Sequence, residues 1–209
     1  MPVWAETSGA PTPWHRGHIS ERYGLFTIIV LGEVVLSSTA AVQSALSAGR
    51  SSPGLLIAAA SGLILVFGMW WSYFKHPATD QLRPSLAASV MWGYGHFALF
   101  AAIAAVGAGL QVVIDTIVHT SHVGPEFAAF TVAVPLAIFV VVLGLLTMRG
   151  DRHATPNLAL VATTAALVLL TPLAASTVTL PATMLILAGL LVVLLAYHLA
   201  TMRQVPDAE

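Results

Sequence analysis

The sequence predicts an all-α integral membrane protein, a bundle of six transmembrane helices. Of its 209 residues, 57% are hydrophobic and only 8% are charged, and the mean hydropathy is +0.87. A water-soluble domain of this size needs polar residues over most of its surface. Here, apolar runs of about 20 residues follow one another, and each is long enough to cross a hydrocarbon layer of about 30 Å. These runs do not alternate between apolar and polar residues, which excludes a β-barrel.

Polar, proline or glycine residues separate the apolar runs from one another. Each run is expected to be helical, because lipid offers no partner for an unpaired backbone group. The six predicted spans are Tyr23–Leu46, Pro53–Phe74, Ser85–Ile114, Glu126–Met148, Asn157–Thr177 and Leu180–Met202. They predict one membrane domain at 19–203, between a short cytoplasmic segment at 1–18 and a cytoplasmic tail at 204–209.

The basic residues orient the predicted bundle. Only Arg50 lies on one side of the six spans, and the other basic residues lie on the opposite side: Arg16, Arg22, Lys75, Arg83, Arg149, Arg152 and Arg203. The positive-inside rule therefore predicts that both termini are cytoplasmic. The first eighteen residues contain no apolar stretch, so we expect the first span, not a cleaved signal peptide, to direct insertion.

Composition excludes several classes of function. The formal net charge is -1 and basic residues are scattered, so nothing indicates a nucleic-acid partner. Cysteine is absent, which excludes disulfides, covalent haem attachment and thiolate chemistry. No cofactor is predicted. Pro135 and Pro172 lie inside the fourth and fifth spans, where each removes a backbone donor and is expected to kink its helix unless neighbours compensate.

Glu33 is the strongest functional signal in the chain. An acid at the centre of a transmembrane helix costs about 2.5 to 3.5 kcal/mol and is rarely placed there without a use. We therefore expect Glu33 to face the interior of the bundle. Arg22 lies three helical turns earlier on nearly the same face, and Phe26 and Ile29 continue a stripe from the cytoplasmic surface to the acid.

His96 is the predicted partner of Glu33. It lies thirteen residues after Arg83, and Glu33 lies eleven residues after Arg22, so the rise of about 1.5 Å per residue predicts similar depths for the two side chains. A buried Glu–His pair can share a proton and is typical of proton-handling sites. The alternative is that the pair only clamps two helices together. Glu33 and His96 are the predicted catalytic residues.

Aromatic residues are concentrated in the second and third spans. Trp70, Trp71, Tyr73 and Phe74 lie at the cytoplasmic end of the second span, where an interfacial belt is expected. A second group is predicted to surround the acid, where aromatic faces suit a lipophilic substrate that develops positive charge. The alternative is that this group only packs the core. The predicted substrate-binding residues are Trp92, Tyr94, Phe97, Phe26 and Tyr23.

A polar stripe lies near the outer end of the third span. Asp115, His119, His122 and Glu126 are spaced by four, three and four residues, a pattern that could bind a divalent metal if it lay on one helix. The pair at 124–125 is Gly-Pro, which interrupts that helix. An exposed loop needs polar residues in any case, so no metal ligand is assigned.

Three blocks of sequence resemble the bacterial low temperature requirement A family. The first is H-I-S-E-R-Y-G-L-F-T-I-I-V-L-G-E, which runs from His18 to Glu33. The second is the W-W-x-Y-F stretch at 70–74, and the third is Y-x-H at 94–96, followed by A-x-G at 105–107. The chain resembles the C-terminal half of longer members, whose preceding acidic motif it lacks.

The resemblance implies that His18, Glu21, Arg22, Glu33 and His96 belong to the family pattern. His18, Glu21 and Arg22 are the predicted cytoplasmic support of the site. The resemblance implies a multi-pass protein of the bacterial inner membrane, and it supplies no reaction. It favours a homodimer, because a chain that matches half of a larger protein can pair with itself to rebuild the whole.

Two classes of function follow. The first is an intramembrane enzyme in which Glu33 protonates a lipophilic substrate, most plausibly a terpenoid cyclase acting on an isoprenoid or epoxy-isoprenoid group. The alternative is a proton-coupled transporter or channel, or a non-enzymatic membrane protein of the same family. Both imply membrane lipid as the surroundings, and the first implies a lipophilic small-molecule substrate.

Overall fold

The computed structural model describes residues 16–75, 86–148 and 158–202, and all their regular structure is helical. Short turns join the helices on the side where Arg50 lies. The helices are α1 (Arg16–Ser47), α2 (Pro53–Phe74), α3 (Leu86–Ile117), α4 (Pro125–Met148), α5 (Leu158–Leu170), α6 (Ala175–Val178) and α7 (Leu180–Met202), and a 3-10 turn (Thr171–Ala174) joins α5 to α6.

Six membrane-spanning helices are confirmed by length and apolarity. The fifth span consists of α5, the 3-10 turn and α6. Six spans place both ends of the bundle on one side, which we call the terminal side. The opposite side, which carries Arg50, is the far side. The cytoplasmic position of the terminal side stays a prediction of the positive-inside rule.

The predicted start of the first span is too late. Helix α1 begins at Arg16, seven residues before Tyr23. His18, Glu21 and Arg22 are therefore helical residues. A helix carries its own backbone hydrogen bonds, so it can continue beyond its apolar stretch. Arg22 is thus a poor marker of where the helix begins.

The two prolines have different effects. Helix α4 continues through Pro135, which is buried. At Pro172, the α-helix gives way to the 3-10 turn, and the proline occupies the beginning of that turn. The missing N–H of a proline is tolerated at the start of a helical segment. The predicted disturbance is therefore found in the fifth span, as a change of helix type.

Parallel and antiparallel contacts fix the order of the bundle. Helix α1 lies on α3, α3 lies on α4, and α2 lies on α7. Gly107 of α3 admits Val34 of α1, since a Cβ at this glycine would lie 2.9 Å from Val34 Cγ2. Gly109 faces α4 so closely that a Cβ there would overlap the Thr131 carbonyl. Glycine at both positions lets the backbones approach.

Helix α1 is the most peripheral of the spans. In its most apolar stretch 17% of the residues are buried, against 33% to 56% in the other five spans. The main core instead joins α2, α3, α4 and α7, with contributions from α1 and α5. One broad face of α1 is therefore open in the single chain.

Candidate functional site

His96 lies at the centre of a closed aromatic cluster, which we call the His96 cluster. Its side chain is 2% exposed. Trp92 and Phe100 lie one helical turn to either side on α3, with ring centroids 4.0 Å and 5.7 Å from the imidazole. Tyr23 of α1 adds an edge-on contact at 4.8 Å. Tyr73 of α2 also contacts His96, so α1, α2 and α3 meet in this cluster.

Both nitrogens of His96 have partners. Nδ1 lies 2.8 Å from the Trp92 carbonyl oxygen, which can only accept, so Nδ1 carries the hydrogen. Nε2 therefore accepts a hydrogen bond from the Tyr73 hydroxyl, at 3.1 Å. Thr27, itself buried, lies beside the Tyr73 phenol. The imidazole is thus held in one tautomer and has no nitrogen left for a substrate.

Two of the predicted aromatic neighbours of His96 lie elsewhere. The side chains of Tyr94 and Phe97 are 61% and 77% exposed, and neither ring contacts the imidazole. Residues two before or one after a helical position point to other faces, whereas those four apart share a face. Of the three predicted aromatic residues on α3, Trp92 contacts His96, and so does Phe100, which was not predicted. The substrate-binding role of Trp92 stays a prediction.

The structure does not bring Glu33 and His96 together, so their predicted pairing is wrong. Glu33 is exposed on the open face of α1. Its neighbour Val34 lies against Gly107, whereas His96 lies beside Tyr23. Ten residues separate Tyr23 from Glu33, which corresponds to about 15 Å along a helix. Within the described residues, Glu33 has neither a hydrogen bond nor an ion pair.

The equal depths predicted for Glu33 and His96 are wrong, because the prediction counted both depths from Arg22 and Arg83 as if these two residues lay at one level. In the structure, Tyr23 packs against Trp92 at 4.8 Å between ring centroids. Arg22 is therefore level with a point well inside α3. The expectation that Glu33 faces the bundle interior is also wrong for the single chain, because the α1 face that packs on α3 carries Val34 instead.

The terminal-side residues predicted to support the site are distant from Glu33. His18 and Glu21 form an ion pair of 3.9 Å between exposed side chains. Such surface pairs contribute little to stability. Arg22 is exposed, and Phe26 is 49% exposed with its ring against Phe100 at 4.7 Å. The stripe from Arg22 to Glu33 thus runs along the open face of α1.

A polar cavity lies on the far side of Glu33. It has a volume of about 420 Å³, lies between α1 and α3, and includes Ser37, one helical turn beyond Glu33. Polar side chains line it from both helices and the turns that follow them: Ser37, Ser44, Arg50, Gln111, Asp115 and Thr120. We call it the far-side cavity. Glu33 does not line it, and its polar lining begins one helical turn beyond the acid.

A second cavity is almost wholly apolar. It has a volume of about 290 Å³ and lies between α1, α2 and α3, with Val35, Ala59, Leu63 and Val113 among its walls. Glu33 does not line it. Its size is near the lower end of small-molecule sites.

The outer polar stripe does not form one helical face. Helix α3 ends at Ile117, and His119 has a positive φ of 58° that turns the chain away. Glu126 lies in the first turn of α4, where it accepts a hydrogen bond of 2.7 Å from the Ser176 hydroxyl. Among the residues that the structure describes, no three His, Asp or Glu side chains are grouped as metal ligands.

The six long apolar helices define a polytopic α-helical membrane protein. The family model of the bacterial low temperature requirement A protein matches residues 1–196. The chain belongs to this family, and the resemblance seen in three blocks extends through most of the sixth span. Comparison with curated proteins and with solved structures gives no match.

The three blocks of the resemblance meet in the structure. Tyr23 comes from the first block, Tyr73 from the second and His96 from the third, and all three lie in the His96 cluster. The glycine of the A-x-G stretch, Gly107, receives Val34. The blocks therefore hold α1, α2 and α3 together, and Tyr73 is the member whose role the sequence analysis missed.

Proposed function

We propose that the protein is a proton-linked membrane carrier in which Glu33 is the titrating group. The observation that supports this is the position of Glu33, exposed near the middle of its span and one turn from a polar cavity that reaches the far side. An intramembrane acid is typical of proton relays and transporters. A carboxyl reached by water from one side can load and release a proton there.

The rest of the bundle suits a scaffold. The middles of the last three spans contain no charged residue, and α3 and α4 are locked by backbone approach at Gly109. The His96 cluster fixes the terminal-side half of α1 to α2 and α3. The far-side half of α1 is lined by cavities on two sides. We infer that this half of α1 moves during transport.

Proton flux into proteoliposomes tests the proposal. Purified protein is reconstituted with an internal pH-sensitive dye, and an inward proton gradient is imposed. We expect flux from the wild-type chain and at least a tenfold loss with Glu33→Gln, since the amide keeps the shape but cannot release a proton. Leu185→Ala, which truncates an exposed apolar side chain on α7, is the control and should retain flux. Equal flux from Glu33→Gln and wild type would end the proposal.

A terpenoid cyclase is the second candidate, and it is supported by the apolar cavity of about 290 Å³. A cavity of this kind next to lipid suits an isoprenoid chain. The chemistry would require protonation of an alkene or epoxide by Glu33, which does not line that cavity. Incubation of the protein in nanodiscs with epoxy-isoprenoid substrates, followed by mass spectrometry, tests it. Cyclised product that disappears with Glu33→Gln would favour the enzyme over the carrier.

A homodimer built on the open face of α1 would complete the site. A second copy related by a two-fold axis along the membrane normal places its own Glu33 at the same depth, where two protonated carboxyl groups can hydrogen-bond. Because the chain has no cysteine, Leu36→Cys gives a single reactive position on this face. We expect disulfide-linked dimers in membranes, and none from Leu185→Cys on α7, which is 52% exposed. Cross-linking of neither variant would contradict the dimer.

A further inference from the structure

We propose that the far-side cavity binds a small zwitterion, with its ammonium group at Asp115 and its carboxylate or phosphate group at Arg50. Both side chains line the same cavity of about 420 Å³. Within the described residues, they do not form an ion pair with each other. A cavity with separated charges of opposite sign is complementary to a molecule that carries both charges.

Matching helix ends hold the two charged residues in place. At the end of α1, Gly49 N–H donates to the Leu46 carbonyl at 2.9 Å and Arg50 N–H to the Ala45 carbonyl at 3.0 Å. At the end of α3, His119 N–H donates to Thr116 at 3.2 Å and Thr120 N–H to Asp115 at 2.8 Å. Gly49 and His119 have the positive φ values of 71° and 58° that this cap requires.

The caps therefore place corresponding residues of two parallel helices around one opening. Arg50 follows the positive-φ residue of α1, and Thr120 follows that of α3. Asp115 lies in the last turn of α3 and is also joined to Thr120, whose hydroxyl is 3.0 Å from the Asp115 carbonyl oxygen and 3.4 Å from its Oδ1. The site is thus built on fixed backbone at two helix ends.

Asp115 is electrostatically misplaced without a cation. The C-terminal end of a helix carries a partial negative charge, so an acid in the last turn is unfavourable and a cation there is favourable. Among the residues that the structure describes, Asp115 Oδ1 has only the long Thr120 contact, which leaves most of the carboxylate available to accept hydrogen bonds. An ammonium group with three donors fits this position.

Arg50 supplies the complementary group. The guanidinium fork binds carboxylate or phosphate oxygens in pairs. Gln111 and Ser44 add a neutral amide and a hydroxyl to the lining of the same cavity. The ligand therefore has an ammonium and an oxyanion joined by a short linker, which describes both a free amino acid and the phosphoethanolamine head of a membrane lipid.

This inference rests on the proposed function only in treating the zwitterion as the carried solute. Binding at the far-side cavity is measured at equilibrium and needs no transport. A carrier with another solute would show Glu33-dependent proton flux without zwitterion binding. A zwitterion site in a protein that carries nothing would show binding without flux.

Equilibrium dialysis of the full chain in detergent tests the site, with phosphoethanolamine and L-alanine as probes. We expect saturable binding of at least one of them, and at least a tenfold weakening with Asp115→Asn and with Arg50→Gln. Ethanolamine should lose affinity only with Asp115→Asn, and inorganic phosphate only with Arg50→Gln. Ser51→Ala, a polar change just outside the cavity, is the control.

The two sources are separated by a lipid arm. In nanodiscs, a rise in melting temperature with phosphatidylethanolamine over phosphatidylglycerol that is absent in Asp115→Asn assigns the site to the lipid head, whereas L-alanine binding without this rise assigns it to a free amino acid. Circular dichroism and size exclusion verify that each variant folds. Absence of binding by both probes, or binding that neither substitution weakens, would overturn the proposal.

Discussion

His96 and Glu33 are both ionisable residues inside membrane spans, yet their surroundings are opposite. His96 is buried by rings from three helices, and both its nitrogens have partners. Glu33 is exposed, lacks a partner in the described part of the chain and lies beside a polar cavity. A polar group whose hydrogen bonds are complete stabilises a fold. A polar group left open in a membrane costs stability and is retained for function.

The largest effect is expected from the closed site. His96→Ala removes the hub of the cluster and takes away the imidazole acceptor of the Tyr73 hydroxyl. We expect a loss of about 3 kcal/mol in the free energy of unfolding, because a cavity and an unsatisfied polar group are created together. Unfolding in SDS-containing mixed micelles measures it. Phe97→Ala, which truncates a ring that is 77% exposed, should change it by less than about 0.5 kcal/mol.

A smaller loss is expected when one hydrogen bond is removed from the same site. Tyr73→Phe keeps the ring but leaves His96 Nε2 buried without a donor, which should cost about 1 to 2 kcal/mol. Unfolding of the double variant with His96→Ala identifies the interaction, since its loss in the free energy of unfolding should be smaller than the sum of the two single losses. Full additivity would mean that the hydrogen bond does not stabilise the protein.

A gain in stability is expected at the end of α3, beside the far-side cavity. His119 has φ of 58°, where a side chain is strained and glycine is not. His119→Gly should therefore raise the free energy of unfolding by about 1 kcal/mol. Thermal unfolding measures it, and Gly49→Ala at the corresponding position of α1 should have the opposite sign. Destabilisation by His119→Gly would indicate that the imidazole itself makes a contact worth more than the backbone strain.

A further effect depends on pH and concerns Lys75, just after α2. Burial lowers the pKa of Lys75 from 10.5 to about 8, and His198 of α7 lies near it. The unfolded chain therefore binds the proton more tightly, so protonation destabilises the fold fully below pH 8, and stability recovers as pH rises from 8 to 10.5. Lys75→Met should raise the melting temperature at pH 7. That gain should shrink at pH 10, and a gain independent of pH would contradict the assignment.

The spans were predictable because lipid imposes a single requirement on every segment. Apolar length alone places α2 at Pro53–Phe74 as the structure has it. The start of α1 was not predictable in this way, because residues 16–22 are polar yet continue the helix. Helix ends beyond the hydrocarbon layer depend on local hydrogen bonds that hydropathy does not register.

The composition of the sites was only partly predictable. His96 and Trp92 share a face by their spacing, and the same spacing would have indicated Phe100. The contact with Tyr73 and the separation of Glu33 from His96 depend on the register of three helices. That register is set by Val34 in the notch at Gly107, and a single sequence does not show which glycine receives which side chain.

The most direct test of the account compares the two sites in one assay. Proton flux into proteoliposomes is measured for Glu33→Gln and Tyr73→Phe, and each rate is divided by the amount of folded protein in the vesicles. We predict that Glu33→Gln unfolds like the wild type and loses its flux, whereas Tyr73→Phe unfolds more easily and keeps its flux per folded molecule. Flux that survives Glu33→Gln but disappears with Tyr73→Phe would place the function in the closed cluster and contradict the account.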